Sequence, residues 1–306
     1  MSQLTFLRIA PLLLCPSVSF FNYAEPISLY GRANVSFQLA DEGDGRFTEV
    51  SSNASRLGVK GNLNLDSGLT ALYQLEWEID IANLSSSGNI KARDQYLGLR
   101  GDFGTVYLGR KNTYTKTYSA RVDLFSDYQG DIKNIWKGEN RLSESLSYET
   151  TNFHGFQLGI NYLAEGSETG EDGVSVGLRY GDLQLKNSNW NATLTADSNI
   201  NGYDTQRASV QAKSGNWLVS GMLHRQTKRA EDDSASGFLL SAQYGFDDWK
   251  LKTQYQSLED DHAVTFGADY QLGRSTKTYI WYTLHSLDDK PDKTWLALGV
   301  EHRFRQ

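Results

Sequence analysis

The stretch Ile27-Ser-Leu-Tyr-Gly-Arg-Ala-Asn-Val-Ser-Phe-Gln-Leu39 decides the fold. Ile27, Leu29, Ala33, Val35, Phe37 and Leu39 alternate with Ser28, Tyr30, Arg32, Asn34, Ser36 and Gln38. A period of two residues puts the apolar set on one face of a strand and the polar set on the other. The next segment repeats the habit, with Leu57, Val59, Leu63 and Leu65 against Arg56, Lys60, Asn62 and Asn64. Asp66-Ser-Gly68 then makes a tight turn, and Leu69 to Ile81 returns with Ala71, Tyr73, Leu75, Trp77 and Ile79 opposite Gln74, Glu76, Glu78 and Asp80. Segments of the same kind lie near 90–101, 104–111, 140–152, 155–165, 173–185, 189–199, 204–213, 217–228, 237–246, 249–258, 263–272, 277–287 and 293–304. Together they predict about sixteen strands in an all-β, antiparallel transmembrane barrel. Short turns, such as Asp102-Phe-Gly104 and Ser214-Gly-Asn216, take turns with longer acidic loops, such as the one holding Glu259-Asp-Asp261. Short turns on one rim and long loops on the other suit a barrel that crosses a membrane.

Composition agrees. The chain has 306 residues with 28 Gly, 4 Pro, 17 Tyr and 7 Trp, a formal charge of −7, and a mean hydropathy of −0.51. After the N-terminus there is no apolar run of about eighteen residues, so no transmembrane helix is expected. A polar average is compatible with a membrane barrel, because only every second strand residue meets lipid. A soluble β-sandwich would alternate too. Against it stand charges in strand middles, at Arg32, Lys60, Glu76, Arg207 and Lys252, and aromatic residues gathered toward strand ends. Residues 1–24 read as a secretory signal, with Arg8 ahead of the apolar run Ile9 to Phe21 and a cleavage end at Tyr23-Ala24. The barrel is then one domain, residues 25–306. Cys15, the single cysteine, would leave with the signal, so the mature chain carries no disulfide or thiolate chemistry. The acidic balance argues against nucleic acid as a partner.

Residues 112–140 are the longest span without clean alternation, centred on Asp123-Leu-Phe-Ser-Asp-Tyr-Gln-Gly-Asp131. A long irregular stretch in a compact domain usually carries function. Here it is expected to fold into the barrel and constrict it.

The chain resembles the general porins of Gram-negative outer membranes, trimeric sixteen-stranded barrels whose third loop folds inward. The likeness rests on ordered pieces: Leu29-Tyr-Gly-Arg-Ala33, Ser55-Arg-Leu-Gly-Val-Lys-Gly61, Tyr96-Leu-Gly-Leu-Arg-Gly-Asp-Phe-Gly104, Tyr107-Leu-Gly-Arg110, Arg141-Leu-Ser-Glu-Ser-Leu-Ser-Tyr148 and Glu301-His-Arg-Phe304. It implies an acidic loop of Asp123, Asp127 and Asp131 facing a basic wall of Arg32, Arg56, Arg93 and Arg141. Alternation independently places Arg32, Arg56 and Arg141 on polar faces, whereas Arg93 shares its parity with Leu97 and Leu99. The resemblance further implies an outer-membrane location among lipid and lipopolysaccharide, a homotrimer, passage of small polar solutes, no cofactor, and Phe304 as the assembly signal for the barrel-assembly machinery. In two places the chain departs from the family. Ser126-Asp-Tyr-Gln-Gly-Asp131 stands where relatives carry Pro-Glu-Phe-Gly-Gly-Asp, and Arg305-Gln306 follow the usual terminal aromatic.

Opposed rows of charge across a narrow aqueous gap would orient polar solutes and penalise apolar ones. The acidic loop and mouth suggest mild cation selectivity, while the arginine wall pulls the other way. Two other functions compete. Trp136 and Tyr128, with Tyr114 and Tyr118, could stack on sugar rings in a saccharide-selective channel, or simply anchor the loop. An outer-membrane enzyme would need a nucleophile and a base. His154, His224, His262, His285 and His302 fall in separate segments, without such partners and without metal-ligand spacing, so no catalysis and no metal are expected.

Overall fold

A computed structural model describes residues 27–83, 88–164 and 172–306. The expected signal segment and Cys15 lie outside the described residues. The first strands are β1 (Ser28–Asp41), β2 (Arg46–Ser52), β3 (Arg56–Asn64), β4 (Thr70–Ile79), β5 (Ile90–Gly101) and β6 (Gly104–Asn112). After an irregular segment come β7 (Arg141–Glu149), β8 (Phe156–Leu163), β9 (Gly173–Tyr180), β10 (Trp190–Ile200), β11 (Tyr203–Ser214) and β12 (Trp217–Lys228). The wall is completed by β13 (Asp233–Phe246), β14 (Trp249–Leu258), β15 (Asp261–Gly273), β16 (Thr276–Ser286) and β17 (Lys293–Arg305).

Sequence neighbours pair antiparallel, and β1 pairs with β17 from Tyr30↔Arg305 to Asp41↔Thr294, which closes the sheet. Closure leaves no open edge, as a spanning sheet requires in a medium that cannot hydrogen-bond its backbone. Seventeen strand segments make sixteen wall strands, because β2 and β3 are two halves of one. β2 pairs with the Val35–Asp41 half of β1 and β3 with its Ser28–Arg32 half. The break falls at Asn53–Ser55, where Ala54 takes φ +49° and the Asn53 N–H donates to the Asn34 carbonyl at 2.8 Å. Alternation does not predict β2, since Phe47 and Val50 sit on opposite parities.

The predicted strand at 173–185 is shorter in the structure. It ends at Tyr180, and Gly181 (φ +81°) begins a turn in which the Asp182 carboxylate accepts from the Gln184, Lys186 and Asn187 N–H groups. A carboxylate satisfying three backbone donors locally outcompetes the ladder.

The burial pattern is that of a membrane barrel. Leu97, Leu108, Leu223 and Leu298 are each more than 60% exposed on the outer face, while Asn34, Gln38, Gln254 and Thr283 are buried on the other. Part of that polar face is itself apolar, around Met222, Leu239, Tyr279, Trp281 and Trp295. Val122, Ile132 and Trp136 cluster with Met222, Leu239 and Leu258, and Phe125 and Tyr128 cluster with Tyr279, Trp281 and Trp295.

Candidate functional site

The segment between β6 and β7 begins with a one-and-a-half-turn helix, α1 (Tyr114–Ser119), whose Lys116 N–H is capped by the Thr113 hydroxyl at 3.2 Å. Glycines in the wall make room for it. A Cβ on Gly159 would stand 2.2 Å from the Tyr114 ring, and one on Gly177 would stand 2.7 Å from Tyr118. Thr115 donates to the Asp197 carboxylate at 2.6 Å. Farther on, Phe125 lies over Gly267, where a Cβ would approach its ring to 2.8 Å, and Gly130 lies against Thr265. Near the end of the segment Trp136 donates to the Ser257 carbonyl at 2.9 Å and stacks on His224 at 4.5 Å, with the planes 9° apart. Arg207 then clamps the exit, bonding Glu139 at 2.6 Å and the Lys137 carbonyl at 2.7 Å.

The three loop acids have different environments. Asp123 is buried; its carboxylate accepts from the Phe125 N–H at 2.9 Å, the Gln254 amide at 3.0 Å and the Ile132 N–H at 3.2 Å. Burial, with the Asp131 carboxylate nearby, pushes the Asp123 carboxyl well above the usual range despite those bonds. Asp131 is buried too. It accepts from the Asp127 N–H at 2.8 Å and the Lys133 N–H at 2.8 Å, capping a short 3₁₀ turn at Ile132–Asn134. Both acids thus hold the segment's own backbone.

Asp127 differs. Held at φ +73°, it directs one carboxylate oxygen to Arg32 at 2.7 Å and Arg56 at 2.8 Å. Burial opposes its ionisation, but those two guanidiniums, with Arg93 behind them, outweigh burial and hold the carboxyl down at about 2. Arg32 and Arg56 are cross-strand partners, and Arg32 also faces Arg303 across the β1–β17 seam. Counter-charges lie alongside: Glu301 is 3.7 Å from Arg32, and Glu76 is 3.9 Å from Arg56 and 2.6 Å from Arg93.

Arg93 reaches this network through a β-bulge. Leu75 faces Gln95 but Trp77 faces Ala92, so Glu76 alone opposes both Arg93 and Asp94. The extra residue reverses parity, and Arg93 bonds Glu76 and Glu78 although it shares odd numbering with the outward Leu97 and Leu99. A second bulge, between Gly109/Lys111 and Ser145/Leu142, separates Arg141 from the alternating Ser145 and Ser147. Arg141 pairs with Asp94 at 2.7 Å and makes no ion pair with Asp127 among the described residues. Trp136 and Tyr128 are buried in the two apolar clusters. The Phe304 ring lies over Gly31 on the outer face, where a Cβ would stand 2.2 Å from its Cζ.

A cavity of about 880 Å³ opens against Arg32, Arg56 and Asp127. Nine of its lining residues are lysine or arginine and four are aspartate or glutamate, so its local charge is positive although the chain's is not. The cations neighbouring the Arg32–Asp127–Arg56 cluster run along β14 to β17. Lys252 and Lys277 share Asp269 at 3.0 and 2.9 Å, and Arg303 bonds Glu301 at 2.7 Å. Sequence reading did not assemble this row, although each member sits on the polar parity of a clearly alternating strand.

A closed, sixteen-strand antiparallel barrel with an apolar belt and a charged interior is an outer-membrane channel. Residues 12–290 match the family model described as Gram-negative porin, and the chain belongs to that family. It is 25% identical over 324 residues to the major outer membrane protein P.IB of Neisseria lactamica, covering 91% of this chain and 94% of that one. Its fold is similar to that of the anion-selective porin from Comamonas acidovorans, with TM-score 0.72 and 20% identity over 91% of this chain and 99% of the other. It is also similar to the in-vitro folded trimer form of OmpT from Vibrio cholerae, with TM-score 0.69 and 13% identity over 91% and 99% of the two chains.

Proposed function

We propose that the channel passes small hydrophilic solutes passively, that the 113–140 segment lies across its interior, and that it prefers anions. The narrow point is placed where Asp127 meets Arg32 and Arg56. The carrying observation is the nine-to-four excess of cationic residues around the adjoining cavity. Asp127 does not stand free to draw cations, because two guanidiniums already share it. An anion leaving the constriction meets Lys252, Lys277 and Arg303, each paired with a carboxylate, so attraction is spread over several weak stations. Weak, repeated stations suit conduction, since a solute must leave as readily as it enters.

Asp123 and Asp131 act in this proposal as internal braces of the segment. Arg93 and Arg141 belong to the supporting charge network. Trp136 and Tyr128 anchor the segment, and their burial leaves the saccharide-selective reading without its stacking platform. Residues 1–24 direct export, lipid and lipopolysaccharide cover the apolar belt, Phe304 is read during barrel assembly, and three copies associate. The trimer form of the Vibrio relative supports the last point.

Liposome swelling tests the passive channel. Proteoliposomes should swell in neutral polar solutes at rates that fall smoothly with solute size and do not saturate. Saturable uptake of one sugar, or no swelling by folded protein, would contradict the proposal.

A further inference from the structure

A second cavity, of about 480 Å³, shares no lining residue with the first. Lys60, Asn62, Gln74, Tyr96, Arg100 and Tyr107 line it, on β3 to β6. Register explains the grouping. Lys60 faces Gln74 and Gln74 faces Tyr96, so three strands contribute one row. Gly98 faces Tyr107, and a Cβ on Gly98 would stand 2.8 Å from that ring. The missing side chain lets Tyr107 settle on the wall beside Tyr96, with ring centres 5.0 Å apart and planes at 80°. The result is an aromatic corner.

The cations here are arranged unlike those of the Arg32–Asp127–Arg56 cluster and the Asp269 pair. Arg32, Arg56, Arg93, Arg141, Lys252 and Lys277 each hold a carboxylate. Among the described residues no carboxylate oxygen lies within 4.0 Å of Lys60 or Arg100. Lys60 rests over the Tyr30 ring at 4.8 Å, and Arg100 makes a long 3.4 Å bond to the Thr105 hydroxyl. Two cations without counter-ions beside perpendicular tyrosines offer a negative solute both charge and a ring contact.

We propose that this corner is a transit subsite for aromatic monocarboxylates of the benzoate type. The solute's ring packs against Tyr96 and Tyr107, and its carboxylate is taken by the Arg100 fork with Lys60 as second donor. Chloride or acetate satisfies only the cations and an uncharged ring only the tyrosines, so a ring-bearing carboxylate is held in preference to either. The inference rests on the anion-channel reading and adds a solute class to it.

The test uses the refolded full barrel in planar bilayers with potassium chloride, to which potassium benzoate, acetate or glucuronate is added at equal concentration. Benzoate should interrupt chloride current with a saturating concentration dependence, and acetate should not. Arg100→Gln should raise the half-blocking benzoate concentration about tenfold, as loss of one charge-assisted bond implies. Tyr96→Leu should raise it several-fold, and Tyr96→Phe should keep the block. Equal effects of benzoate and acetate, a benzoate block indifferent to Arg100→Gln and Tyr96→Leu, or a glucuronate block as strong as benzoate's would each overturn the subsite. A chloride-preferring channel that ignores benzoate would sink the subsite alone. Absence of chloride-preferring current before any addition would sink the reading beneath it.

Discussion

Asp127→Asn tests the constriction most locally. The substitution keeps the side chain's size and removes the charge that Arg32 and Arg56 share at 2.7 and 2.8 Å. A unit charge about 4 Å from a passing ion is worth about 1 kcal/mol in water, or about a fivefold change in the local concentration of that ion. Losing the negative charge should therefore raise chloride and lower potassium by about fivefold each at the narrow point, so the chloride-to-potassium permeability ratio should rise by up to about twenty-five-fold at low salt, and less at high salt, where screening shortens the reach of the charge. The segment should remain docked, because Phe125, Ile132 and Trp136 stay buried and Asp123 and Asp131 still bond its backbone. The assay is reversal potential across a salt gradient, for wild type and variant side by side, with heat-modified gel mobility to show that both are folded. A shift toward potassium, or an unchanged ratio at low salt, would refute the placement of Asp127 at the narrow point.

Other outcomes follow from the same contacts. Lys252→Gln combined with Lys277→Gln should reduce chloride preference, since two stations vanish while Asp269 remains, and reversal potential reads this directly. Trp136→Ala removes a fully buried ring stacked on His224 and should cost about 3 to 5 kcal/mol of local docking, seen as flickering current and faster proteolysis of the segment. Gly159→Val should displace Tyr114 from its seat and lower the unfolding temperature of the barrel, whereas Gly273→Ala, with nothing within 4 Å of its added carbon and no left-handed backbone to strain, should do much less. The Asp127 carboxyl is depressed to about 2, so its ion pairs are complete above the ordinary carboxylate range and are lost as pH falls through about 2. Asp127-dependent selectivity should accordingly hold steady from neutral pH down to about 4 and change only below that.

Much of the wall was legible because strand period and lipid burial impose the same rule on each strand: Val35 and Phe37 face out, and Asn34 and Ser36 face in. Reading failed where another force broke that rule. β2 was hidden because Phe47 and Val50 fall on opposite parities. Arg93 was ambiguous because one inserted residue in β5 reverses the count, and no local sequence signal marks a bulge. The end of β9 was overrun because Leu183 and Leu185 alternate again after Asp182, but on the opposite parity to Val174, Val176 and Leu178, while Asp182 draws the backbone into a turn. Adjacent apolar pairs such as Met222-Leu223, Leu239-Leu240 and Trp281-Tyr282 carried a signal that alternation alone discards. One member of each faces lipid and the other meets the 113–140 segment, so they mark its docking surface. Among the loop acids, residue type gave the charge but not the role. Spacing could not say that Asp123 and Asp131 would turn to the segment's own N–H groups while Asp127 alone met the arginines.

The central claim, an anion-preferring channel narrowed at Asp127, is tested most directly by the reversal potential of the refolded barrel across a potassium chloride gradient. The account predicts steady ohmic current with the sign of chloride selectivity, set by the cation-rich cavity beside Arg32 and Arg56. Current with the sign of potassium selectivity, or no current from protein shown to be folded in the membrane, would contradict it.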